Sequence, residues 1–168
     1  MTIQIHDASL PYLARFLRAL DRMIDKAAAF AEAKQGKSAV SVEASLINAR
    51  LAPDMFAFAR QVQIATDMAK GCAARLANVE VPKYDDTETT FAELKARIAR
   101  TVAFIESFKS DQLDGAEART IQLKTGGREV TFTGSDYLFG FVYPNVFFHL
   151  TTAYNILRHN GVELGKMD

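Results

Sequence analysis

The stretch 143–166, YPNVFFHLTTAYNILRHNGVELGK, admits few structures other than a capped helix. Pro144 has no backbone N–H to lose and a preset φ, so it suits the first turn. Gly161 follows His159 closely and supplies the left-handed residue that ends a helix. Between them Val146, Leu150, Ala153 and Leu157 recur at helical spacing and form one apolar stripe. Arg158 and His159 fall in the last turn, where positive charge meets the negative end of the macrodipole. His149 stands about 60° from the centre of the stripe at ~100° of rotation per residue. Asn145, Thr152 and Ile156 share its flank, so a polar seam runs beside the buried face.

Three more stretches carry that periodicity. In residues 10–32, Leu13, Phe16, Leu17, Leu20, Met23, Ile24 and Ala27 make a one-sided helix, with Ser9 as its cap and Pro11 just inside. Arg15, Arg18, Asp21, Arg22 and Asp25 give it a solvated opposite face. A second helix is predicted over 53–76, opening at Pro53 and burying Met55, Phe58, Val62, Ala65, Ala69, Ala73 and Leu76. A third is predicted over 91–108 through Phe91, Leu94, Ile98, Val102 and Ile105, with Thr90 and Glu93 as a capping box. Residues 40–51 read as a loop with one short helical turn. Residues 79–89 read as a solvated acidic connector holding Asp85, Asp86 and Glu88, without the glycine turn of a calcium loop. The period then switches to two around Gly126 and Gly127, which predicts a β-hairpin over 120–133 lying against the helices. Residues 135–141 should add a turn of helix before the last one. Together these elements predict an all-α four-helix bundle with a long first crossover and a small hairpin before the closing helix, as one domain over 1–168.

Composition excludes several function classes. Twenty basic residues balance twenty acidic ones, so no global field draws the chain to nucleic acid or an acidic membrane. No window approaches a membrane span and the N-terminus MTIQIHDASL has no signal-peptide pattern, so the cytoplasm is the expected compartment. Cys72 is the single cysteine, which rules out an internal disulfide and a multi-cysteine zinc site; it reads as a core residue rather than a nucleophile.

The segments LINARLAPDMFAFARQVQIATDMAKG, FAELKARIARTVAFI and YPNVFFHLTTAYNILRHNGVELGK resemble an uncharacterised bacterial branch of the DinB-like (YfiT-like) four-helix-bundle superfamily. The resemblance covers nearly the whole chain and implies an antiparallel bundle, often a homodimer. Relatives of known activity hold a divalent metal through three histidines, and some transfer thiol cofactors to electrophiles. Those relatives have one histidine on the second helix and two, four residues apart, on the last. Here the second helix has none, and Ala153 stands four residues after His149. His149 and His159 are about 15 Å apart along a helix, too far to share one zinc ion. No metal or other cofactor is therefore expected.

Six residues form the candidate pocket between the second and fourth helices: Asp54, Gln61, Tyr143, Asn145, His149 and Thr152. In antiparallel register Gln61 lies nearer the level of His149 than Asp54 does, which makes Gln61 the expected direct partner. Three functions remain open. One is a small-molecule-binding bundle, another a thiol-transferase or hydrolase-type enzyme using a perturbed His149 or a metal, and the third a structural dimer module. A homodimer is expected from Phe30 and the Ala27–Ala31 run of the first helix.

Overall fold

A computed structural model describes residues 3–36 and 38–168; Met1, Thr2 and Lys37 lie outside them. Helix α1 (Leu10–Ala33) buries Leu13, Leu17, Leu20, Ile24 and Ala27, the stripe read from its spacing. Ser9 precedes it but does not cap it, because its hydroxyl donates to the Ile5 carbonyl at 2.6 Å. Residues 5–9 are thereby folded into turns. Helix α2 (Val42–Asn48) is a full short helix where only one turn was expected, capped by Ser41, whose hydroxyl accepts from Ala44 N–H at 3.2 Å. Helix α3 (Phe58–Leu76) starts later than Pro53. The reason is local: the Phe58 amide donates to the Ala49 carbonyl at 2.9 Å and the Arg50 guanidinium donates to the Met55 carbonyl, closing 50–57 as a loop. Helix α4 (Phe91–Glu106) has the expected capping box between Thr90 and Glu93. Its first turn also accepts a negative group from the crossover, Glu43 Oε1, on the Phe91 amide at 2.6 Å.

The closing element is longer than Pro144 suggests. Helix α5 (Gly134–Asp136) runs into a π-helical segment, Tyr137–Val142, and then into α6 (Tyr143–His159) without a break. A proline in an α-helix meets the carbonyl four residues back. Here the wider turn lets the Tyr143 amide donate to Leu138 instead, and Asn145 Nδ2 donates to the Phe141 carbonyl at 2.7 Å. Strands β1 (Thr120–Thr125) and β2 (Arg128–Thr133) pair antiparallel, with Gly126 and Gly127 at φ +55° and +77° as a primed hairpin turn demands. Phe132 docks the hairpin on the π segment, 5.5 Å from the Phe141 ring and 6.1 Å from that of Tyr137.

Side-chain pairs fix the helix directions. Arg18–Glu106 and Lys95–Asp21 set α1 antiparallel to α4, while Gln61–His149 and Arg75–Tyr137 set α3 antiparallel to α6. Phe58–Phe91 and Thr66–Arg97 make α3 and α4 run the same way. The connector between them must therefore return along the bundle, and it does so against α3 and α4. This corrects the reading of that connector as solvated at Tyr84 and Glu88, while Asp85 and Asp86 remain exposed. Arg97 is fully buried and donates to Thr66 Oγ1 (2.7 Å), Asp67 (2.8 Å), Glu88 (3.0 Å) and the Asp85 carbonyl (3.1 Å). Gln63 holds Glu88 at 3.0 Å, and Lys70 and Arg100 lie over the Tyr84 ring at 3.8 and 3.7 Å. Lys70 and Gln63 are buried for the same reason.

Helix α3 is thus enclosed on nearly every side. On α1, Ala27 and Ala31 are buried within the chain and Phe30 packs on Gly161, so that run supplies little free surface. Among the described residues, no helix is long and apolar enough to cross a membrane.

Candidate functional site

Helix α6 turns its polar flank, rather than the Leu150 side, toward α3. Val146, His149, Thr152, Ala153 and Ile156 are buried while Leu150 is only partly so. The expected partner of His149 is in place: Gln61 Oε1 lies 2.7 Å from His149 Nδ1. Gln61 Nε2 donates to the Phe56 carbonyl at 2.9 Å, and a carbonyl can only accept. That bond orients the amide, so Gln61 Oε1 must accept from a protonated Nδ1. The imidazole is thereby set as the tautomer with its lone pair on Nε2.

Burial, reinforced by the charge of Arg60, pulls the His149 pKa below its ordinary 6.5, so the ring is neutral near pH 7. A folded-state pKa below the unfolded one means that the unfolded chain takes the proton first. Stability is then complete above about pH 6.5 and declines as pH falls through the folded value. Thermal melts taken from about pH 8 down to pH 5 should show a steeper loss for the native chain than for His149→Gln. Parallel slopes would contradict this account of the ring.

The other candidate residues go elsewhere. Asp54 is exposed in the 50–57 loop and makes no hydrogen bond or ion pair with His149. Asn145 is committed to the Phe141 carbonyl. Thr152 is buried one turn beyond His149. Tyr143 points away from the seam, and its hydroxyl donates to the Ala8 carbonyl. Desolvation pushes that phenol up to about 12, which leaves it a neutral donor. The residues beside His149 do not fit a three-histidine metal site: Gln61 faces it, and Ala153 is a buried methyl. Among the described residues, no three His, Cys, Asp or Glu side chains are grouped to hold a metal ion. Cys72 is fully buried, and desolvation outweighs Arg75 and pushes its thiol up to about 12, so it carries no thiolate.

Tyr143 instead borders a cleft of about 1250 Å³ on the other side of α6. Its walls are Ile5 and Asp7 from the N-terminal turns, Tyr12 and Phe16 from α1, Leu113, Asp114 and Glu117 from the 3-10 turn Ser110–Leu113 and its sequel, and Phe139, Tyr143 and Phe147 from the π segment and α6. Phe16 meets Phe147 edge to face at 5.1 Å, Tyr143 stacks on Phe147 at 5.5 Å, and Phe139 lies 6.0 Å from Tyr143. Tyr12, Phe139 and Phe147 are each about half exposed. The sequence reading missed this surface, although its signal was there: Phe139, Tyr143 and Phe147 recur every four residues, as do Tyr12 and Phe16.

The crystal structure of a DinB family member protein from Shewanella denitrificans is similar to this fold over 96% of this chain and 89% of that one, at 43% identity and a TM-score of 0.82. The fold is therefore that of a DinB-like helical bundle. The profile of a family described as a domain of unknown function, DUF1993, matches residues 5–168. The chain belongs to that family. No curated protein matches it.

Proposed function

We propose that this DinB-like domain binds a small organic molecule, and that the molecule sits in the aromatic cleft beside Tyr143 rather than at the seam between α3 and α6. The cleft itself supports this reading. It is large enough for a drug-sized ligand, and half-exposed aromatic rings line it where a purely structural surface would be expected to be polar. The seam offers less, since Gln61 and His149 already satisfy one another. An enzyme reading rests on the free Nε2 lone pair of His149 alone, without a nucleophile, because Cys72 is buried and protonated.

Small apolar molecules should raise the melting temperature of the native chain and not that of Phe147→Ala, each shift being read against the same protein without ligand because the lost ring also packs on Phe16 and Tyr143. An equal shift in both would move the site away from the cleft. Pairing of two copies is a separate expectation. The exposed rings of Phe56, whose carbonyl holds Gln61, and of Phe148, which lies against His149, offer it more surface than α1 does. Sedimentation decides it: a dimer is expected, and a monomer would end the idea.

A further inference from the structure

We infer that the occupant of the cleft is an organic cation, an ammonium group carried on an apolar or aromatic body; this rests on the cleft being the binding site. Asp7, Asp114 and Glu117 line the cleft, and no lysine or arginine does; Asp7 is held by His6 at 2.9 Å, which leaves Asp114 and Glu117 as the carboxylates open to a ligand. The chain as a whole carries equal numbers of acidic and basic residues, so this is a local concentration of one sign in a neutral molecule. Among the described residues, Asp114 and Glu117 form no ion pair, whereas the acids facing α3 and α4 are matched by Arg60, Lys70 and Arg97. Carboxylates without a partner at the rim of a low-dielectric wall attract a cation and repel an anion.

The remaining wall has the same preference. Tyr12, Phe16, Phe139 and Phe147 present π systems, whose faces are negative and favour an ammonium group over a neutral isostere. A carboxylate or phosphate ligand would meet the like charge of Asp114 and Glu117 and no lysine or arginine, the side-chain donors on the wall being Gln4, Tyr12, Ser110, Ser135 and His6, whose Nδ1 is already engaged by Asp7. Carboxylates and ring faces therefore favour the same charge on the ligand.

Three probes of nearly one shape test this: phenethylamine, phenethyl alcohol and phenylacetate, each titrated into the native chain and followed by amide chemical shift. Phenethylamine should shift the amides of Asp7, Tyr12, Gly115 and Phe147 and bind about tenfold more tightly than the alcohol, with phenylacetate weakest. Asp114→Asn combined with Glu117→Gln changes exposed side chains only. It should weaken the amine several-fold, leave the alcohol unchanged, and remove most of the salt dependence. Equal binding of amine and alcohol in the cleft overturns the cation while leaving the cleft as the site. Tighter binding of phenylacetate does the same. If none of the three shifts cleft amides, both the cation and the cleft fall.

Discussion

Replacing Arg97 with methionine should cost about 3–5 kcal/mol of folding stability, the range for removing one member of a buried ion network. Its guanidinium is wholly buried and reaches carboxylates from two separate segments, Asp67 on α3 and Asp86 and Glu88 on the returning connector. Methionine keeps much of the volume but leaves Glu88, itself almost buried, with only Gln63 as partner. Lys70 still neutralises Asp67 and Arg60 still neutralises Asp86, which is why the loss should not exceed that range. The rim of the network behaves differently. Asp86 is about one-third exposed, and Asp86→Asn should cost under about 1 kcal/mol because water screens what is lost. Urea melts of the two variants decide the matter; similar small losses would mean that the connector is held by something other than Arg97. Domains of this kind are stable by only about 5–15 kcal/mol, so Arg97→Met should remove a large part of the margin.

Gly134→Ala should destabilise by about 3 kcal/mol or more, even though helix propensity argues the other way. Gly134 opens α5, where alanine would gain about 1 kcal/mol. A Cβ there, however, would sit 1.8 Å from the Ala116 carbonyl oxygen and 2.8 Å from its carbon. Both are main-chain atoms and cannot swing aside as a side chain would, and Leu76 closes the third direction at 3.3 Å. The contact also sets one wall of the cleft, because the neighbouring Ser135 amide donates to the Glu117 carbonyl at 3.0 Å. A thermal melt checks it: a lower melting temperature is expected, and an unchanged one would mean that the approach of 116 to 134 is looser than described.

Local chemistry was legible in the sequence wherever a short segment decides its own structure. Gly126 and Gly127 announce the hairpin turn, and Thr90 with Glu93 announces the start of α4. The Gln61–His149 pair was also readable, since helical rise and antiparallel register suffice to bring the two level. Arg97 was not readable. It sits between Leu94 and Ile98 on the buried side, but a lone charge there reads as solvated until residues 77–90 are known to fold back over it. The helical turn over 135–141 was readable, but its π register and its unbroken run into α6 were not, because Pro144 is a helix-start signal and only the hydrogen bonds show the continuity. The cleft is assembled from the N-terminal turns, the 3-10 turn and the start of α6, segments that no periodicity links.

The most direct measurement is a crystal structure of the protein grown with whichever small molecule raises its melting temperature most. The account predicts the molecule between Tyr12, Phe16, Phe139 and Phe147, with its charged end toward Asp114 and Glu117. Electron density for it beside Gln61 and His149, or none in the cleft, would contradict that account.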